Sequence, residues 1–145
     1  MHQLLENRAL WAAVVPWLAA QIIKPLWTLA TTRKLNIFLI MSPGGMPSSH
    51  SALVTGLAAG IGNLYGLSSG YFAIAAVFAG VVMYDAAGVR LAVSRQARIL
   101  NLMMDDFFHA RGFNENRLRE LVGHTPIEVL WGAVLGGVVG WLLTR

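Results

Sequence analysis

The segment from Met41 to Ser51, MSPGGMPSSHS, has the composition of a loop that binds phosphate. Its glycines permit backbone conformations closed to other residues, and Ser48 or Ser49 is suited to cap the helix that follows. A glycine-rich turn that leads into a helix offers an anion several backbone N–H groups and the positive end of the helix dipole. His50 falls in the first helical turn, where an imidazole can protonate a leaving oxygen. The pattern indicates a phosphate site, and an ordinary capped loop is the alternative.

A second histidine lies in the segment GHTPIEV, from Gly123 to Val129. His124 can act as a nucleophile or a base, because neutral imidazole is available near pH 7. Glu128 follows four residues later and can fix the tautomer of His124, as carboxylates do for catalytic histidines. The competing interpretation is a capping box, with Thr125 as the N-cap and Glu128 as the third helical residue. In that case His124 lies just outside the helix, and the simple i, i+4 geometry does not apply.

Charged residues at the ends of apolar segments are candidates to complete such a site. The segment Tyr84–Arg90, YDAAGVR, places Asp85 and Arg90 at the end of an apolar stretch, where charges are costly unless they are paired or used. A guanidinium can bind phosphate through two parallel hydrogen bonds. The alternatives are that Asp85 and Arg90 neutralise each other, or that Arg90 extends to lipid headgroups. Lys24 and Arg33 allow the same two interpretations.

The composition surrounding these candidates is that of a membrane protein. Hydrophobic residues make up 56% and charged residues 12% of the 145 residues, whereas about 25% of the residues in a soluble domain are charged. The length corresponds to a single domain, residues 1–145. The absence of cysteine excludes disulfides and thiolate metal sites. The net charge of +4 is explained by topology and lipid headgroups rather than nucleic acid, because no platform of interleaved basic and aromatic residues is present.

The hydropathy pattern predicts an all-α bundle with about four membrane-spanning helices. The spans are expected at Ala9 to about Ile23, about Ser51 to Leu64, Tyr71–Val89 and Ile127–Leu143. Each is close to the minimum of about 17 residues for a helix that crosses the hydrocarbon core. Small residues along the spans allow the helices to approach closely, which makes a homo-oligomer plausible. An additional amphipathic helix in the headgroup region is predicted within Leu91–Val122, with a solvated loop as the alternative.

Lysine and arginine are distributed unevenly between the connections. Nine of the eleven lie in the connections between the first and second spans and between the third and fourth. The positive-inside rule places both connections in the cytoplasm and both termini outside. In this topology Lys24, the Gly44–His50 loop, Arg90 and His124 lie at one face of the membrane. We therefore expect one phosphate site on the cytoplasmic side of the membrane.

Taken together, the motifs resemble a known superfamily. PSSH at Pro47–His50, preceded by GGM, is similar to the PSGH motif of the type-2 phosphatidic acid phosphatases and vanadium haloperoxidases, and His124 with Glu128 is similar to their HxxxD motif. GGMPSSHS, YDAAGVR and GHTPxEV resemble more closely the divergent branch of that superfamily, which consists of small membrane proteins of bacteria and plastids. The resemblance extends from Gln21 to Gly140 and implies a location in a bacterial inner membrane.

The resemblance implies a phosphatase that needs no metal and no cofactor. His124 would attack phosphorus and form a phosphohistidine, His50 would protonate the leaving alkoxide, and Glu128 would orient His124. Basic side chains and the Ser48 and Ser49 amides would stabilise the phosphoryl oxygens. The candidate phosphate-binding residues are Lys24, Arg33, Gly45, Ser48, Ser49, Arg90 and Arg119, and Asp85 is a further candidate without an assigned role.

Three hypotheses for function remain. The first is hydrolysis of a membrane lipid that carries a phosphomonoester or pyrophosphate headgroup, of the phosphatidylglycerophosphate or phosphatidate class. The second is a non-catalytic membrane protein that keeps the phosphate pocket, since the superfamily has an arginine six residues before the nucleophile and this chain has Leu118 there. The third is a metal-dependent phospholipid transferase that uses Asp85, Asp105 and Asp106, although their spacing does not match that class.

Overall fold

The computed structural model describes residues 2–33, 45–108 and 124–145, and this part of the chain forms helices and turns without a strand. The helices are α1 (His2–Leu5), α2 (Arg8–Thr32), α3 (Ser49–Tyr65), α4 (Gly70–Tyr84), α5 (Arg90–Phe108) and α6 (Pro126–Thr144). A single π-helical turn, Asp85–Val89, joins α4 to α5. The prediction of an all-α fold is confirmed for these residues.

Polar caps determine where the helices begin. Ser48 caps α3 by accepting a hydrogen bond from the backbone N–H of Ser51, and Ser69 caps α4 through the N–H of Phe72. Thr125 caps α6 in a complete capping box. Each cap satisfies one of the four N–H groups that the first turn of a helix leaves without a partner. The helix starts therefore follow from local sequence.

Within the described residues, three segments are long and apolar enough to cross a membrane: Arg8–Thr32, Gly70–Val89 and Pro126–Thr144. The predicted number of four spans is therefore not confirmed. α3 is also apolar, but its 17 residues extend about 25 Å and lie at the lower limit of length for a spanning helix. The first span is longer than predicted, because α2 continues through Pro25 to Thr32.

α3 lies at the centre of the bundle and contacts α2, α4 and α6. α6 runs parallel to it. Near the start of α6, Gly132 lies against the backbone of Ser48, and near its end Gly140 lies against the backbone of Gly56. Because these glycines have no side chain, the two helices approach until backbone touches backbone.

α2 runs antiparallel to α3. Near its start the carbonyl of Ala12 lies against Gly56, and near its end the side chain of Lys24 reaches Ser49. α4 also runs antiparallel, because only a short turn separates it from α3. The part of α2 around Lys24, the start of α3, the end of α4 and the start of α6 therefore lie together, at what we call the His124 end. The opposite end of the bundle is the Arg8 end.

α5 continues from α4 beyond the His124 end and exposes apolar side chains. The exposed residues include Val93, Ile99, Leu100, Leu102 and Met103. α5 covers the first part of the segment 91–122, in which an amphipathic helix is predicted, and residues 109–122 lie outside the described residues. The location of this helix in the headgroup region stays a prediction.

Candidate functional site

The His124 end contains a lysine that is almost completely buried. Lys24 is 2% exposed, and its Nζ donates a hydrogen bond of 3.1 Å to Oγ of Ser49, which is also 2% exposed. Gly45 lies over the lysine stem with φ +86°, a conformation that favours glycine, and a Cβ there would be 3.9 Å from Cγ and Cδ of Lys24. The carboxylate of Glu128 attracts the ammonium. A buried ammonium is costly unless anions or hydrogen bonds compensate it, so this position suits an anionic ligand.

Ser48 is completely buried and joins the starts of two helices. Its backbone N–H donates to the carbonyl of Glu128 at 2.9 Å. Its hydroxyl accepts hydrogen bonds from the backbone N–H and the hydroxyl of Ser51, at 3.4 and 3.0 Å. The expectation that the Ser48 amide binds phosphate is therefore wrong, because that N–H is already bonded to a carbonyl. Ser48 instead holds the loop before α3 against the first turn of α6.

His124 lies immediately before α6 and is 1% exposed. Its Nδ1 is 3.4 Å from Oε2 of Glu128. The same carboxylate oxygen accepts the backbone N–H of Thr125 at 2.9 Å, and the Thr125 hydroxyl accepts the N–H of Glu128 at 3.4 Å. The capping box and the contact between His124 and Glu128 therefore exist together. The sequence presents them as competing interpretations, but the carboxylate that reaches back to the cap also reaches the imidazole.

This contact determines which ring nitrogen of His124 is available for chemistry. When Nδ1 carries the proton and donates it to Glu128, Nε2 carries the lone pair. Nε2 is buried and has no hydrogen-bond partner among the described residues. Burial, and secondly the positive charge of Lys24, lower the pKa of His124, against the opposing effect of Glu128. The imidazole is therefore neutral near pH 7, as a nucleophile must be.

His50 brings a second imidazole to the same place from a different helix. It lies in the first turn of α3. The centroids of the His50 and His124 rings are 6.1 Å apart, and the ring planes form an angle of 67°. A single phosphoryl group could contact both rings at this separation. The structure thus brings together Lys24, Ser49, His50 and the His124–Glu128 pair.

Other candidates lie elsewhere or outside the described residues. Arg33 is exposed at the C-cap of α2, with φ 56°, about 13 Å along the helix axis beyond Lys24. No described contact joins Arg33 to the site, so its expected role in binding phosphate is not supported. Asp85 begins the π-helical turn, which contacts α6. Arg90 is the first residue of α5, but its side chain lies outside the described residues, as does all of Arg119.

Sequence reasoning missed one polar residue near the site. Oε1 of Gln21 is buried and has no hydrogen-bond partner among the described residues. Gln21 lies three residues before Lys24, and residues at this spacing are neighbours on a helix surface. The signal was present in the sequence, because a polar residue inside an apolar span is often functional. Within the described part of the chain, no group of three His, Asp or Glu residues could hold a metal ion.

Comparison with known proteins assigns the chain to a family. The family model described as the Divergent PAP2 family matches residues 5–139. The chain belongs to the Divergent PAP2 family. It is also 40% identical, over 153 aligned positions, to a protein of Bacillus subtilis (strain 168) named "Uncharacterized membrane protein YuiD", an alignment that covers 98% of this chain and 94% of that protein. No solved structure matches the chain.

Membership in the Divergent PAP2 family agrees with the relationship that the motifs indicate. The matched region contains the whole cluster, from Lys24 to Glu128. The relative is named as a membrane protein, which agrees with the three long apolar segments found in the described part of this chain. The chain is therefore a membrane protein of a PAP2-related family, with a buried His124 and a half-buried His50 at one end of its bundle.

Proposed function

We propose that this member of the Divergent PAP2 family is a metal-independent lipid phosphatase with His124 as its nucleophile. The observation that carries the proposal is the environment of His124. Its Nδ1 contacts Glu128, its buried Nε2 has no hydrogen-bond partner among the described residues, and a buried lysine lies in the same cluster. A nucleophilic histidine in phosphoryl transfer requires a fixed tautomer, a free lone pair and positive charge near the phosphoryl oxygens.

Lys24 and Ser49 supply the groups that bind the phosphoryl oxygens. The ammonium and the hydroxyl are already 3.1 Å apart, and both side chains are buried. In a site with little water, a positive charge fixed before the reaction stabilises the transition state more than the same charge would in solution. Ser48 supports this arrangement by holding the starts of α3 and α6 together.

The reaction proceeds in two displacements. In the first, the lone pair of His124 Nε2 forms a bond to phosphorus, the bond from phosphorus to the lipid oxygen breaks, and His50 gives its proton to that oxygen. The resulting phosphohistidine is stabilised by Glu128 at Nδ1. In the second, water attacks phosphorus, His50 takes a proton from the water, and the bond from nitrogen to phosphorus breaks. Inorganic phosphate leaves, and His124 returns to its neutral state.

The substrate proposed is a lipid with a phosphomonoester or pyrophosphate headgroup, of the phosphatidate or phosphatidylglycerophosphate class. The cluster lies at the ends of apolar helices, which is where the headgroups of a bilayer lie. The lysine and arginine distribution favours the cytoplasmic side, and hence a lipid of the inner leaflet.

Phosphate release in detergent micelles tests the proposal directly. Purified protein is incubated with EDTA and, separately, phosphatidate, phosphatidylglycerophosphate and undecaprenyl pyrophosphate. We expect release that EDTA does not inhibit, from a phosphomonoester of the first two kinds. Release that requires added Mg²⁺ or Mn²⁺ would contradict the mechanism.

A non-catalytic protein that binds phosphate or lipid headgroups is the second candidate. It is favoured by the almost complete burial of Lys24, Ser49 and His124, and by Leu118 at the position where the superfamily has arginine. Vanadate and phosphate binding, measured calorimetrically, separates the two candidates. Binding without release from any lipid would favour this second function.

Substitutions of Lys24 in α2 and of Arg33 at its C-cap should differ sharply in their effect on turnover. Lys24→Met is expected to lower kcat/KM by about 10²-fold or more, because it removes a fixed positive charge from the site. Arg33→Gln removes the same charge from an exposed position beyond the site, and should leave kcat/KM nearly unchanged. Both variants are measured on phosphatidate in the same micelles. Equal losses would show that the two charges act on the anionic surface rather than on the phosphoryl group.

The acid limb of the pH profile should report His124. Because burial and Lys24 lower the pKa of His124, the fall of kcat/KM with acidification should be centred below about pH 6.5. Glu128 opposes this shift, so Glu128→Gln should move the acid limb to still lower pH, and Lys24→Met should move it to higher pH. The same substrate is used throughout, so that its own ionisation cancels in the comparison. Shifts of the same sign in both variants would contradict the assignment.

A further inference from the structure

A second concave surface lies at the Arg8 end of the bundle, far from His124. α2 and α4 both pack against α3 and leave a groove of about 460 Å³ between them. Leu57 and Ile61 of α3 lie in this groove together with Leu10 of α2. Tyr65 and Tyr71 also line the groove, with ring centroids 5.4 Å apart. The groove is mainly apolar and opens between membrane helices.

A polar recess of about 360 Å³ adjoins the groove and shares Asn7, Ala9 and Tyr65 with it. Glu6 and Arg8 complete its polar side. The exposed Glu6 carboxylate is paired with His2, at 3.0 Å. The groove and the recess together form one amphipathic surface, whose polar end carries the charged residues Glu6 and Arg8.

The guanidinium of Arg8 is fixed in place while part of it remains open. Its Nη2 donates to the carbonyls of Leu143 and Arg145, at 3.2 and 2.9 Å. Its other N–H groups donate to no residue in the described part of the chain. A guanidinium held in this way can offer its remaining N–H groups to a phosphate oxygen without losing further side-chain freedom.

We propose that this surface binds one anionic phospholipid, with an acyl chain in the groove and its phosphate at Arg8. Inside a bilayer, the molecules that can fill a laterally open apolar groove are lipid chains, and tyrosines are enriched at the depth of the headgroups. Arg8 supplies the positive charge for the phosphate, while the Glu6 carboxylate of the same recess already contacts the His2 ring. The site is independent of the proposed phosphatase reaction, since the 17 residues of α3 separate it from His124 by about 25 Å.

The chain offers a matched comparison surface. A groove of about 590 Å³ lies between α3 and α6, also toward the Arg8 end, and no charged residue is among the described residues that line it. Asn63 is its polar member, and it donates to the hydroxyl of Thr144 at 3.3 Å. The lining of this neutral groove can accept an acyl chain, and Arg145 approaches it from outside, with its guanidinium over the ring of Trp141 at 5.1 Å from the centroid.

Native mass spectrometry tests the proposal. Full-length protein is reconstituted in vesicles of equimolar phosphatidylglycerol and phosphatidylcholine, extracted in mild detergent, and analysed for retained lipid. We expect one retained phospholipid per chain, with phosphatidylglycerol enriched about fivefold. Leu57→Trp fills the charged groove and should remove this lipid, whereas Val138→Trp fills the neutral groove and should not. Arg8→Gln should reduce the enrichment.

The outcomes separate this site from the phosphatase site. Lys24→Met and His124→Ala should retain the lipid fully, so loss of turnover and loss of the lipid are distinguishable. Equal lipid loss in Leu57→Trp and Val138→Trp would show a general lipid shell and overturn the proposal. Retention without preference for phosphatidylglycerol would overturn the role of Arg8. Far-UV circular dichroism of each variant identifies any that fail to fold, and Leu10→Trp then replaces Leu57→Trp as the variant that fills the groove.

Discussion

His124→Ala is expected to lower kcat for phosphate release by about 10⁴-fold or more, the loss typical of removing a covalent nucleophile. Alanine removes Nε2 and therefore the atom that bonds to phosphorus. The neighbouring Lys24 and Ser49 stay in place, so substrate binding should change much less than turnover. Release is measured on phosphatidate with EDTA, at enzyme concentrations high enough to detect the residual rate.

A trapping experiment ties this loss to a covalent intermediate. Wild-type protein mixed with phosphate-labelled substrate and quenched in alkali should carry label on histidine, and His124→Ala should carry none. His50→Ala should slow turnover by about 10²-fold to 10⁴-fold, as removal of a general acid does, and still accept label at His124. His2→Ala is the matched control, because His2 is exposed and lies on α1, outside the site. Full turnover by His124→Ala would disprove the phosphohistidine mechanism.

The helices could be predicted from sequence because their signals are local. Ser48 and Thr125 each cap a helix within a residue or two of the predicted starts. The number of spans could not be predicted with the same success. It depends on whether α3 crosses the lipid itself or packs inside the bundle, and the sequence does not show which. α3 lies at the centre of the bundle with much of its surface against other helices, and its 17 residues are at the lower limit of length for a span. Hydropathy alone does not distinguish a helix surrounded by protein from one surrounded by lipid.

For the candidate site, the sequence predicts that the two histidines lie at the same end of the bundle, but it does not predict their hydrogen bonds. The grouping of Lys24, His50 and His124 at one end follows from the order of the apolar segments. The sharing of one Glu128 oxygen between a cap and an imidazole depends on distances of a few tenths of an ångström, which spacing does not determine. The hydrogen bond from the Ser48 amide to the Glu128 carbonyl of α6 is likewise a tertiary contact, which spacing does not predict. Local sequence shows which groups are available, and packing determines which of them remain free.

Gly136→Ala and Gly137→Ala should have opposite effects on stability, although the two residues are adjacent on α6. A Cβ on Gly136 would collide with the hydroxyl of Thr55 and the carbonyl of Ala52, whereas a Cβ on Gly137 would meet nothing within 4 Å. Both substitutions gain the same helix propensity, up to about 1 kcal/mol. Gly136, unlike Gly137, lies where α6 touches the backbone of α3. A methyl group on Gly136 therefore forces the two helices apart.

We expect Gly136→Ala to lower the free energy of unfolding by about 1–3 kcal/mol, as overpacking does, and Gly137→Ala to leave it unchanged or raise it slightly. Stability is measured by reversible unfolding of the full chain in mixed micelles, followed by far-UV circular dichroism. Activity should respond in the same order, because α3 carries His50 and Ser49 while His124 lies at the start of α6. A separation of these helices moves the imidazole rings apart, so Gly136→Ala should also lose turnover under conditions where it remains folded. Equal stability of the two variants would show that α3 and α6 do not pack through Gly136, and the distance between the two histidines would then have to be set by other contacts.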